Sequence, residues 1–173
     1  MSCLIDTGRK VGCKDKAPGI RRLFFVNNGL LNLTVAADEI TVLSGSALSV
    51  YQVDLFNSNA DFTETINNTE DGSPDVEQEL NVTLFGKDKA SRLFIEKVRK
   101  NIPHVIVEDV NGQLWLLGEV GGMHFGGSAL SGRGSGDVSG YELTGTSRQR
   151  QLAYPVDPDA LFDDANITIV VGS

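Results

Sequence analysis

Few side chains in this 173-residue chain could carry covalent or metal chemistry: His104 and His124, the serines near the second of them (Ser128, Ser131, Ser135), and Cys3 and Cys13. A nucleophilic triad needs a Ser or Cys beside a His that a third group orients. None of these serines stands in the Gly-x-Ser-x-Gly turn that lifts a nucleophile between strand and helix. Structural zinc takes four ligands at set spacings, and Cys3 and Cys13 with two distant histidines do not supply them. Gly132-Arg133-Gly134-Ser135-Gly136 has the composition of a phosphate cradle. A cradle needs a helix after it, whose N-terminus faces the phosphate. Here Gly140-Tyr141-Glu142-Leu143 follows and reads as strand. The paired carboxylates, Glu70-Asp71, Asp157/Asp159 and Asp163-Asp164, fall in turn-like stretches without the spacing of a calcium loop. The chain reads as having no catalytic residue, no metal site and no cofactor.

The elements that would position any site are mostly strands. The plainest is a pair, His104 to Asp109 and Gln113 to Val120, joined at Asn111-Gly112. Asn-Gly favours a two-residue type I′ turn, in which both central residues take positive φ. The flanks are apolar on both faces: Val105 and Val107 against Ile106, Leu114 and Leu116 against Trp115 and Leu117. A pair with one wet face alternates. This one is therefore either central in a sandwich or covered by another subunit. Arg21 to Val26, one or two short strands around Ala36 to Glu39, Leu48 to Phe56, Asp61 to Asn67, Val76 to Phe85, Ser139 to Arg148 and Asn166 to Val171 complete the strand set. Tyr51, Val53 and Leu55 share one face, as do Leu80, Val82 and Leu84. Thr69 to Asp75 and Tyr154 to Asp164 read as loops, and 121–140 as a glycine-rich loop ordered by a neighbour. One helix is expected at about 89–100. Asp88 is its N-cap, Ala90, Leu93, Phe94 and Val98 form its apolar stripe, and Pro103 stops it. The fold class is mainly β, a sandwich or barrel with one flanking α-helix. An extended arm, 1–20, precedes a single β-rich domain at 21–173.

The formal net charge is −8, which argues against wrapping a duplex or lying on an anionic membrane. No run of about 18 apolar residues marks a membrane span, and the first residues lack an apolar core of signal-peptide length. The exception to the acidity is the arm, with Arg9, Lys10, Lys14, Lys16, Arg21 and Arg22. Such a segment is either a solvated tail or a contact with an acidic surface of a neighbouring copy.

Taken in order, GRKVGCKDKAPGIRRLFFVN, the alternating strands, the helix with a basic end, VIVEDVNGQLWLLGEVGGM and SGDVSGYELTGTSR resemble the small tail structural proteins of tailed bacteriophages. The likeness is greatest to those of Bacteroidetes-infecting, crAss-like phages. It rests on Asp109, Asn111, Gly112, Trp115, Gly118, Gly121, Gly122, Ser131, Gly132, Asp137, Gly140 and Tyr141, and spans roughly two thirds of the chain. The resemblance implies a tail-tube-like β-sandwich or barrel whose copies extend their sheets into a ring around the channel for genome and ejected proteins. Its partners would be copies of itself, neighbouring tail or neck proteins, and DNA that passes without specific binding. Its location would be the virion tail, assembled in the host cytoplasm. On this reading Arg9, Lys10, Lys14, Lys16, Ile106, Trp115, Leu117 and His124 are candidate subunit-interface residues. Asn111, Gly112, Gly118, Gly121, Gly122, Gly140 and Tyr141 set turns and packing. The alternatives are a head–tail connector or head-associated protein, and a β-sandwich module that binds a carbohydrate or receptor.

Overall fold

The computed structural model describes residues 17–43, 47–55, 59–68 and 72–172. Arg9, Lys10, Lys14, Lys16 and both cysteines lie outside the described residues. The chain is mainly β, in two sheets that pack as a sandwich, and neither sheet closes into a barrel. The larger sheet holds eight strands. From edge to edge they are β12 (Ile167–Val171), β4 (Leu48–Asp54), β1 (Ile20–Val26), β7 (His104–Asp109), β8 (Leu114–Leu117), β11 (Tyr154–Val156), β3 (Glu39–Val42) and β2 (Thr34–Ala36). The smaller sheet is antiparallel, in the order β5 (Ala60–Asn68), β6 (Pro74–Phe85), β10 (Gly140–Gln149) and β9 (His124–Leu130).

The two-faced strands go to the middle of the large sheet. β7 lies between β1 and β8, with Leu23 opposite Val107 and Val107 opposite Trp115. One face of this triplet, with Leu23, Phe25, Val105, Val107 and Leu117, meets Leu80, Val82, Phe125 and Leu143 of the small sheet. The other face, with Phe24, Val26, Ile106, Leu114 and Leu116, meets Ile40, Val156, Leu161 and, at the far edge, Ile167 and Ile169. Side chains from seven of the eight strands share this second cluster, so the sheet curls around its own second face. The chain thus covers both sides of the hairpin itself, and no second copy is needed to keep water off it.

The hairpin turn differs from the expected one. Gly112 takes φ 81°, while Asn111 is not among the non-glycine residues at positive φ. The Gly112 N–H donates to Asp109 O, and the Asp109 N–H to Gln113 O. This is a three-residue loop, a type I turn followed by a left-handed glycine. The Asp109 carboxylate causes it, because its Oδ1 accepts from the backbone N–H of both Asn111 (2.7 Å) and Gln113 (2.9 Å). The type I′ turn lies elsewhere. Ala37 and Asp38, at φ 52° and 61°, join β2 to β3 with Ala36 opposite Glu39.

Helix α1 (Lys89–Asn101) begins as expected, with Asp88 accepting from Ser91 N–H at 2.6 Å. It ends on Ile102 in the left-handed region before Pro103. Its apolar stripe is only partly used. Val98 is buried, Phe94 meets Phe25 edge-on at 5.4 Å, and Leu93 and Ala90 remain exposed. Two loop expectations are corrected. Within 121–140, residues 124–130 form β9, because Gly127 lets the β10 backbone approach where a Cβ would sit 2.0 Å from Glu142 O. Within Tyr154 to Asp164 lie β11 and a short helix, α2 (Pro158–Phe162). Its start is marked by the Asp157 cap with proline in the first turn.

Candidate assembly surface

Among the described residues the small sheet has no strand beyond either edge, and its outer face is polar. Alternation sends Phe62, Leu80, Val82, Phe125 and Leu143 inward, so the residues between them face out. Register places Asp61 opposite Asn81 and Asn81 opposite Thr144; Thr63 opposite Glu79, Thr146 and His124 complete the next row. Asn81 ties one row together, donating to Glu79 (3.0 Å) and accepting from the Thr144 hydroxyl (3.0 Å). Five carboxylates lie on this face, Asp61, Asp75, Glu77, Glu79 and Glu142, and Arg148 is the one Lys or Arg in the four strands. The edges are β5, nine residues long, and β9, seven residues long. Each presents unpaired backbone groups to which another strand can bond.

A polar seam holds the small sheet to the large one. Gln78 and Gln149 sit at inward positions of otherwise apolar strands and are buried. Gln78 Oε1 accepts from Gly118 N–H, and its Nε2 donates to Glu64. Glu64 also accepts from Ala153 N–H at 2.7 Å. Gln149 closes both backbone groups of Val120. His104 lies against Gly118 O at 2.6 Å. A carbonyl only accepts, so Nδ1 carries the proton. These contacts fix the 118–122 corner, and they were missed in the sequence. The available signal was a glutamine in an inward slot of an alternating strand. No buried side-chain N or O lacks a partner among the described residues.

The candidate residues scatter over this frame. Ile106 and Leu117 have no exposed surface and belong to opposite cores. Neither can touch a second copy, which corrects their reading as interface residues. Trp115 is half-buried between Val107 and Pro155. His124 is exposed on edge strand β9. Asn111 is a clasp: its Nδ2 donates to Ala17 O, and its Oδ1 accepts from Ala17 N–H. At Gly122, φ is 79° and a Cβ would lie 2.0 Å from Ile102 O. Gly118 and Gly121 belong to the same corner, while Gly140 and the half-buried Tyr141 begin β10 against β6. Arg22, grouped with the basic arm in the sequence, is engaged within its own chain. Its guanidinium forks onto buried Glu108 at 2.5 and 2.9 Å and lies 5.6 Å from the Phe162 ring. The Glu108 hydrogen bond and charge hold Arg22 above its usual pKa.

A groove of about 580 Å³ runs between α1, the end of β6 and the β12 edge. Tyr51, Leu55, Leu84 and Phe94 floor it, and Asp54 and Asp88 stand at its rim. Among the described residues no three His, Cys, Asp or Glu gather as a metal site, and no helix is long and apolar enough to cross a membrane. No family model, curated protein or solved structure matches the chain.

Proposed function

We propose that the chain is a virion structural protein, the subunit of a ring or tube in a phage tail that encloses the channel for genome and protein ejection. The observation that carries this reading is the small sheet. Its outer face holds five carboxylates and a single arginine, and among the described residues both its edges are open. A surface past which a polyanion must slide needs weak contact, since each cation that neutralises a phosphate adds salt-dependent affinity. The rows of Thr and Asn between the acids keep such a face wetted. Joining β5 of one copy to β9 of the next is a head-to-tail contact between different surfaces, the kind that closes into rings. In this arrangement the small sheets run on from copy to copy with their acidic face toward the lumen, as the tail-tube resemblance implies. The partners are further copies, adjoining tail or neck proteins, and DNA in transit.

The test is sedimentation together with negative-stain imaging of the purified protein, and of virions probed with an antibody to it. Rings in solution, or labelled tails, support the reading. A protein that stays monomeric at high concentration and labels no virion part overturns it.

A further inference from the structure

Asn-Gly is the dipeptide most prone to lose ammonia, because glycine has no side chain to shield the nitrogen that attacks the asparagine amide. The chain holds it twice, at Asn28-Gly29 and Asn111-Gly112. From the contacts of the second we infer that Asn111 is a deamidation site gated by its clasp on Ala17, and that its conversion makes opening of the clasp permanent. This does not depend on the ring or tube reading.

The reaction needs only water. The Gly112 nitrogen bonds to Asn111 Cγ, the Cγ–Nδ2 bond breaks, and the Gly112 N–H proton leaves with the amide nitrogen as ammonia. Water then adds to either carbonyl of the cyclic imide and opens it to aspartate or isoaspartate. Nothing is oxidised or reduced.

Both sites are exposed, and at each glycine nothing lies within 4 Å of where a Cβ would stand. They differ in how the amide is held. Among the described residues the Asn28 side chain makes one contact, its Nδ2 donating to Gly121 O at 3.4 Å. Asn111 Oδ1 accepts from Ala17 N–H at 3.2 Å, and Nδ2 donates to Ala17 O at 2.9 Å and to Asp109 Oδ2 at 3.3 Å. The attacking nitrogen is held as well, with Gly112 N–H donating to Asp109 O at 3.1 Å. An amide fixed at both its polar atoms cannot turn its carbon toward that nitrogen. The reaction therefore waits for a local opening that frees Ala17.

Once converted, residue 111 cannot rebuild the clasp. A carboxylate only accepts, so the donor to Ala17 O is lost. An oxygen in the place of Nδ2 would face Ala17 O and the Asp109 carboxylate, two acceptors, the second of like charge. Isoaspartate also adds a backbone carbon to the loop. The loosening stops at Gly19, whose carbonyl accepts from Val110 N–H at 3.1 Å. The clasped Ala17 N–H belongs to the Lys16–Ala17 peptide bond. Its lasting release leaves that bond able to enter a protease.

Peptide mass spectrometry of the full-length protein, aged in mildly alkaline buffer, follows both sites. In urea Asn28 and Asn111 should convert at comparable rates. In the folded protein Asn28 should convert first and Asn111 several-fold more slowly. Ala17→Pro removes the N–H that Oδ1 accepts, and should speed Asn111 while leaving Asn28 unchanged. Brief trypsin treatment then reads the consequence. Aged protein and Asn111→Asp should be cut at Lys16–Ala17 several-fold faster than fresh protein, and Asn28→Asp no faster. If Asn111 keeps pace with Asn28 in the folded protein, the gate is overturned. If Asn111 stays intact after Asn28 has fully converted, or if Asn111→Asp is cut no faster at Lys16–Ala17, the permanent release is overturned.

Discussion

Replacing Ile106 by alanine asks which body covers β7. Ile106 has no exposed surface and packs among Phe24, Leu114 and Leu116, themselves almost wholly buried. The change removes three methyl-sized groups, which at about 0.8 kcal/mol each is roughly 2.4 kcal/mol of lost transfer energy. A residual cavity adds about 24 cal/mol per Å³. A void on the order of 40 Å³ left after partial relaxation brings the loss to about 3–4 kcal/mol. That is a large part of the ~5–15 kcal/mol that holds an ordinary domain folded. For a chain of this length it lowers the unfolding temperature by roughly 6–16 °C, taking ~2–4 °C per kcal/mol. The assay is thermal and urea unfolding at two widely separated protein concentrations. Because the cover is intramolecular, the loss should be the same at both. A loss below about 1 kcal/mol, less than half the transfer term alone, would refute the argument. So would a loss that vanishes at low concentration, since that is the signature of a side chain covered by a partner.

Other consequences follow from the same geometry. Gly122→Ala forces a Cβ to 2.0 Å from Ile102 O, whereas Gly121→Ala at nearly the same φ meets open space; denaturant titration should show about 1–2 kcal/mol of left-handed strain at 121 and a clearly larger loss at 122. Ala37→Gly relieves a non-glycine residue at φ 52° in the β2–β3 turn, and should raise stability by a few tenths to about 1 kcal/mol, the strain relief exceeding the added unfolded-state entropy. Asp88 has a depressed folded-state pKa, so its stabilisation is present above its unfolded value near ~3.9 and fades as pH falls through the lower folded value. Asp88→Asn should keep helix α1 and abolish that acid-limb dependence in unfolding curves followed by circular dichroism. Thr144→Lys with Thr146→Lys, on the acidic outer face, should create duplex binding whose salt slope steepens by about 0.9 per phosphate engaged. Unchanged DNA affinity in a filter or mobility assay would count against a lumen-facing role for that sheet.

Local chemistry made several parts of this molecule legible before any tertiary contact was known. Asp88, the apolar stripe and Pro103 bound a helix with information carried within one segment, and it lies at Lys89–Asn101. The alternation of Tyr51, Val53 and Leu55, and of Leu80, Val82 and Leu84, assigns faces because strand side chains repeat every two residues. All six pack on the same core. Other features depended on partners far along the chain. Asn-Gly permits type I′, but the backbone N–H groups of Asn111 and Gln113, both donating to the Asp109 carboxylate, choose type I, while the mirror-image turn falls on Ala37-Asp38, which local preference does not single out. His124 to Leu130 is strand because β10 lies beside it, an arrangement that glycine composition alone reads as loop. A hairpin apolar on both faces announces that both faces are covered, but not by what. Only the packed structure decides that its own second core covers Ile106 and the small sheet covers Leu117. The physical reason is that periodicity records how much of a segment must leave water, whereas the identity of the covering surface is a long-range contact that no window of sequence contains.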